Sequence, residues 1–313
     1  MVDQATHLPA AGDGAAAHGF VDPWLGDTER ILAHAEDSST ELTERIAAAS
    51  SVARHLDAFF MLRAEPLGTH PSPERTSGFH SLLRSARSLA ERNASLFFGD
   101  LLPDLALRGG RLRRWDELSG PERRLLQDFF VSSVFPVVTP LAVDSRRPFP
   151  HIFNLSLNIG ALIKGRAQPH FACVKVPSHL PRFLQLPNGV FVPLEDSIVA
   201  NIGHLFPGAE IVGQHAFRVT RRLEFEGTDA NGELPLRAAE MQWHRPSTSA
   251  AVRLEAETDM PAGVLDFLVR KLRIDALGAY KVPGPLDLSR APELCSGMAH
   301  EASSAPKLPR VAP

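Results

Sequence analysis

Residues Val134–Ile163 read VFPVVTPLAVDSRRPFPHIFNLSLNIGALI, and the chain changes character across them. Upstream, apolar residues recur at helical spacing. Downstream, short β-rich runs take over, beginning with Leu155, Leu157 and Ile159, which alternate with polar neighbours. The stretch is apolar, but Pro136 and Pro140 interrupt it, and its longest run is too short to cross a bilayer.

Working back towards the amino terminus, Leu42, Ile46, Ala49, Ala53, Leu56 and Phe60 step by four and three along one stripe. Val52, Phe59 and Leu62 add a second, so a helix over 40–63 is predicted to be buried on two sides. A shorter helix is predicted from near Asp27, and another from Phe79 to about Leu102, separated by a proline-rich loop over 65–77. Gly109–Gly110 break the chain, and Ser119-Gly-Pro-Glu122 has the form of a capping box that opens a helix. Working forward, Phe171–Val176, Val190–Val192 and Ile211–Thr220 read as strands and Leu194–Leu205 as a helix. Val252, Leu254 and Ala256 alternate with Arg253, Glu255 and Glu257, which predicts a strand with one wet face, and a helix opens at Asp259-Met-Pro261. The fold class expected is α+β. An all-α helical amino-terminal domain over 19–115 precedes a mixed α/β middle domain over 116–289. The tail over 1–18 is expected to be disordered, and that over 290–313 disordered or truncated.

At 313 residues the chain is long enough for two domains. Its net charge of −3, from 33 Lys and Arg against 36 Asp and Glu, argues against a general nucleic-acid binder. Only Cys173 and Cys295 are present, which excludes a disulfide framework and suits a reducing, cytoplasmic compartment. The start is Ala-rich, without Lys or Arg in its first 18 residues, and lacks the form of a secretory signal. His170 and Cys173 form an isolated HxxC with no second pair at ligand spacing, so no metal site is expected and Cys173 reads as a core residue. No phosphate-cradling glycine loop or nucleophile elbow occurs. Gly227–Gly232 reads as a turn. Arginines cluster at 108–114 and 123–124, with pairs at 146–147 and 221–222. They read either as solvated surface or as a grip for phosphate oxygens, and composition does not choose between the two.

Several segments resemble the amino-terminal half of polyphosphate kinase. The strongest are Val134-Phe-Pro-Val-Val-Thr-Pro-Leu-Ala-Val-Asp144 with Arg147-Pro-Phe-Pro150, and Asn154-Leu-Ser-Leu-Asn158. In order after them come Phe171-Ala-Cys-Val-Lys-Val-Pro177, Phe191-Val-Pro-Leu-Glu-Asp196, His215-Ala-Phe-Arg-Val-Thr220 and Gly284-Pro-Leu-Asp-Leu288. Trp24-Leu25, Arg30-Ile-Leu32 and Leu56-Asp57 with Phe59-Phe-Met-Leu-Arg63 are similar to the family's helical domain. The resemblance covers about 20–289, the first two of the family's four domains.

What the resemblance implies is ATP-dependent polyphosphate synthesis through a phosphohistidine, with ATP and Mg2+ as the small molecules involved. The attacking histidine, phosphate clamp and metal ligands belong to the two domains that the resemblance does not reach. No catalytic residue is therefore expected in this chain, and no cofactor of its own. In the family an Asn directly before Leu-Asp-Glu-Phe-Phe helps hold the ATP base. Here the run is Arg54-His55-Leu56-Asp57-Ala58-Phe59-Phe60, so His55 takes that position, as the one candidate nucleotide-binding residue, and Ala58 replaces the Glu. An imidazole can stack or donate, but cannot copy the paired donor and acceptor of an amide. Three readings follow: a polyphosphate kinase homologue inactive alone, a non-catalytic module that assembles with itself, with a full-length polyphosphate kinase or with a separately encoded catalytic half, and a structural relic without ligand.

Overall fold

The computed structural model describes residues 22–64, 73–143, 149–165, 169–223 and 249–295. The expectations for 1–18, for Gly227–Gly232 and for Arg146–Arg147 lie outside them. So does most of the loop expected over 65–77.

Helix α1 (Pro23–Glu36) starts earlier than the apolar pattern alone suggests. Asp22 caps it by accepting from the Trp24 N–H at 2.9 Å, and Pro23 takes the first turn, where its missing N–H costs nothing. Helix α2 (Leu42–Leu62) is buried on two sides as its stripes require, with Ile46, Ala49, Val52, Leu56, Phe59 and Phe60 inaccessible or nearly so. Helix α3 (Pro73–Leu96) begins inside the expected loop, because Pro73 can open a helix. Its course continues through a wide π turn at Phe97–Leu101 into α4 (Leu102–Leu107), and Gly109, at φ +90°, then ends it. The predicted capping box is present: the Ser119 N–H donates to Glu122 Oε2 at 2.8 Å and opens α5 (Gly120–Phe129).

Two sheets follow. The smaller has the order β1 (Arg111–Leu112), β6 (Val190–Pro193), β5 (Phe183–Gln185), with β1 parallel to β6. Gly189, at φ +70°, enters β6 under the Gly109 carbonyl, where a Cβ would lie 2.1 Å from the oxygen. The larger sheet runs β2 (Pro140–Val143), β4 (His170–Lys175), β3 (Leu157–Ile163), β7 (Ile211–Arg221), β8 (Ala251–Glu257), β9 (Ala279–Val282). It is antiparallel except for β8 and β9, which α7 (Ala262–Leu272) connects as a parallel crossover. Helix α6 (Leu194–Ala200) follows β6.

The large sheet is covered on both faces. Phe171, Phe217, Leu254 and Ala256 pack with Leu268 and Leu272 of α7 on one side. Ile159, Ala161, Ala172 and Val174 join the core of the amino-terminal helices on the other. This corrects the expectation of a wet face on β8. Arg253 is 1% exposed and Glu257 9%, because α2 lies across that side of the sheet. The alternation is real, but its polar half meets buried partners rather than water.

Ordered structure also extends past 289. A 3-10 turn over Leu288–Cys295 buries Ala291 and Leu294 against the core and packs on α2, where the Ser50 hydroxyl donates to the Ser289 carbonyl at 2.6 Å.

Candidate functional site

Helix α2 presents Arg54 and Asp57, one turn apart and so on one face, to a cleft of about 410 Å³. The approach to β3 contributes Asn154, Leu155 and Ser156, the end of β4 contributes Lys175–Ser178, and β7 contributes Arg218. Arg182, Leu194, Asp287, Ser289 and Arg290 complete it. Each of the segments Leu56–Asp57, Asn154–Asn158, Phe171–Pro177, Phe191–Asp196, His215–Thr220 and Gly284–Leu288 supplies at least one lining residue, although they are spread over more than two hundred positions.

The floor is a buried ion cluster. Arg218 forks onto Asp57 with Nη1 to Oδ1 at 2.7 Å and Nη2 to Oδ2 at 2.6 Å, and Arg253 donates to the same carboxylate from beneath. Glu255 accepts from Arg218 at 3.0 Å, and Asp287 lies 3.4 Å from it. Burial pushes the Asp57 carboxyl up, but the two guanidiniums outweigh it and hold the group below the usual carboxylate range. Arg182 is likewise forked onto Glu195 and donates to the Leu286 carbonyl at 2.7 Å. Even so, the Nε–H groups of Arg182 and Arg218 are buried without an acceptor.

The mouth differs. Lys175 reaches no carboxylate among the described residues and lies 4.4 Å above the Phe153 ring. Arg54 donates to Ser51 Oγ at 2.9 Å and is likewise without a carboxylate there. Arg290 pairs with Glu293 and donates to the carbonyls of Ser178 and Leu180, both at 3.2 Å. Two lining residues, Leu155 at φ +54° and Asp287 at φ +63°, hold left-handed backbone, which is strained for any side chain and especially for leucine. The arrangement can hold a multiply charged anion. Among the described residues its lining offers ammonium, guanidinium, amide and hydroxyl groups beside the carboxylates of Asp57 and Asp287, and no imidazole or thiol.

His55 lies outside the cleft. Its ring tilts against Trp24 at 5.7 Å, its carbonyl accepts from Trp24 Nε1 at 3.0 Å, and its Nδ1 is buried without a partner. Burial lowers its pKa. The arginine clusters picked out in the sequence are mostly structural. Arg108 pairs with Glu41 at 2.8 Å, Arg123 donates to the Trp115 and Asp116 carbonyls, and Arg221 is buried on those of Ile152 and Ser249. Arg114 joins Asp196 at 2.9 Å to Glu257 at 3.3 Å. Burial, with the neighbouring Glu195, pushes the Asp196 carboxyl up to about 7 against the pull of Arg114. Cys173 is buried, its thiol pushed up to about 12 by desolvation. Among the described residues no three His, Cys, Asp or Glu side chains gather to hold a metal ion, and no helix is long and apolar enough to cross a membrane.

The family model described as polyphosphate kinase middle domain matches residues 121–294, and that described as polyphosphate kinase N-terminal domain matches 23–109. A polyphosphate kinase of Streptomyces coelicolor is 41% identical over 278 residues, covering 85% of this chain and 37% of that protein. One of Mycolicibacterium gilvum is 38% identical over 285 residues, covering 85% and 39%. The crystal structure of polyphosphate kinase from Porphyromonas gingivalis matches with a TM-score of 0.70 at 22% identity, over 91% of this chain and 42% of that one, a likeness of fold. The chain thus spans about two fifths of the length of these relatives.

Proposed function

The chain belongs to the polyphosphate kinase family, and from that premise we propose that its 313 residues supply the helical and middle parts of an ATP-dependent polyphosphate-synthesising system without sustaining turnover by themselves. The observation that carries this reading is the composition of the cleft. Among the described residues it has cations for phosphate oxygens but no imidazole that could take up a phosphoryl group. Phosphoryl transfer depends on a placed nucleophile and on charge neutralisation around the moving group. Here the cleft serves the second need alone. A cytoplasmic setting, where ATP is made, suits the reading.

For His55 the reading is a ring that can stack on a purine or donate to it, without pairing with its edge. ATP affinity that rises in His55→Asn, with tripolyphosphate affinity unchanged, is the expected outcome, and no change in either removes the base contact.

The test of the main reading is polyphosphate formation from ATP and Mg2+. The chain alone should make none, and should stimulate a catalytic half taken from a full-length relative. Turnover by the chain alone would overturn it. A second reading, assembly with another polypeptide, is favoured by one observation. Val131, Phe135, Val137 and Leu141 are each at least 42% exposed along one stretch. Sizing the chain with and without a full-length relative separates the two.

A further inference from the structure

We propose that a small cavity beside the ion cluster is an internal water site, and that Asn93 of α3 acts through this water as a positioning residue for Arg218. The cavity lies between Leu56 of α2, Ala90 and Asn93 of α3 and the 283–288 segment, and it shares Asp57, Arg218 and Asp287 with the cleft. The water site is independent of any phosphate ligand.

Two uncommitted polar groups line it. Asn93 is 3% exposed, and its Nδ2 donates to the Ala49 carbonyl at 3.1 Å. That bond fixes which way the amide lies, because the reverse would set Oδ1 against another oxygen. Oδ1 is buried without a donor among the described residues. Arg218 spends Nη1 and Nη2 on Asp57 and Glu255, and its Nε–H is buried without an acceptor there. One acceptor and one donor are therefore left over on the walls of a single cavity. Buried polar groups without partners are rare, and leaving either of these dry is costly.

Room and charge together select the occupant. The cavity gives water centres about 40 Å³. One water needs about 10–15 Å³ of such room, so very few waters fit and nothing much larger does. A cation would satisfy Asn93 Oδ1 but would lie against the guanidiniums of Arg218 and Arg253, which both line the cavity. An anion would satisfy Arg218 but would meet the carboxylates of Asp57 and Glu255. Water is neutral, and both donates and accepts. It accepts from Arg218 Nε and donates to Asn93 Oδ1, which are the two bonds the cavity lacks. The fork onto Asp57 holds Arg218 from α2, and the water holds its third nitrogen from α3. Helix α3 thereby helps to fix the floor of a cleft to which it supplies no lining residue among those described.

The test pairs a crystal structure of the full chain, at a resolution that shows ordered water, with nuclear magnetic resonance of the same chain in solution. One density peak should lie about 2.7–3.2 Å from both Asn93 Oδ1 and Arg218 Nε. The Arg218 Hε resonance, assigned by its loss in Arg218→Met, should show a cross-peak to water whose sign differs between the laboratory and rotating frames, the mark of a bound water rather than of proton exchange. In Asn93→Leu the cross-peak should vanish and the Hε resonance should move upfield as its hydrogen bond is lost, with an unchanged far-ultraviolet spectrum. A peak missing from that position, a peak that refines as an ion, an Arg218 Nε–H without the water cross-peak, or an Hε signal unaltered in Asn93→Leu overturns the proposal. The wild-type measurements decide the matter if Asn93→Leu does not fold. Neither outcome touches stimulation of a catalytic half, so the two ideas fall separately.

Discussion

Replacing Asp57 by Asn removes one negative charge from the centre of the ion cluster while keeping the side-chain shape. The carboxylate accepts two short bonds from Arg218, at 2.7 and 2.6 Å, and a third from Arg253. The Arg218 and Arg253 side chains are only 5% and 1% exposed, so water cannot replace it. Breaking a buried pair on one side costs about 3–5 kcal/mol, because the remaining charge keeps its desolvation penalty. Glu255 at 3.0 Å and Asp287 at 3.4 Å still face Arg218, which places the expected loss near the lower end, about 3 kcal/mol. That is a large part of a total stability of roughly 5–15 kcal/mol. Urea denaturation at pH 7, followed by circular dichroism, should show the midpoint falling with an unchanged slope. The pH dependence adds a check. The Asp57 carboxyl is held low in the folded chain, so its contribution is complete above the ordinary value of 3.8 and is lost as pH falls through the depressed folded value. The gap between wild type and variant should therefore close in acid. Arg218→Met should restore part of the loss in the double variant. A loss below about 1 kcal/mol for Asp57→Asn, or strictly additive single and double variants, would refute the reasoning.

Asp196 should behave in the opposite sense. With its carboxyl raised from 3.8 to about 7, the folded chain holds that proton more tightly than the unfolded chain, so stability falls as pH rises between those values. Asp196→Asn should flatten that fall, and thermal melts from pH 4 to 8 that keep the wild-type slope contradict the assignment. Gly189→Ala places a methyl 2.1 Å from the Gly109 carbonyl oxygen at a φ of +70°, and should destabilise by at least about 2 kcal/mol in the same urea assay. Cys173, with its thiol near 12, should resist a disulfide reagent at pH 8 in a Cys295→Ser background until the chain is unfolded in guanidinium; modification of that native variant at the rate of a free thiol would count against the burial of Cys173.

The helical part was legible because its signals are local and redundant. The two stripes of α2, the Gly109–Gly110 break and the Ser119–Glu122 box each correspond to what is observed. The charged side of β8 was misread because alternation reports periodicity, and says nothing of whether the polar half meets water or Asp57. The order of Leu288–Cys295 was missed since two buried residues, Ala291 and Leu294, carry it without a repeating pattern. The site was half visible. The segments that resemble the family converge on it, yet its cations are separated in the sequence, from Arg54 to Arg290. Clustered arginines drew attention instead, and most of those are committed to carbonyls and carboxylates.

The bond from the Ser50 hydroxyl to the Ser289 carbonyl spans 239 positions. During synthesis α2 leaves the ribosome long before the turn that covers it, at roughly 5–20 residues per second. For at least ten seconds or so the part of α2 under that turn must therefore wait without its cover, or shelter with a chaperone, while α1 and α3 are already at hand for the rest. Closing so long a loop also makes folding slow whatever the final stability, because contacts between remote positions form late.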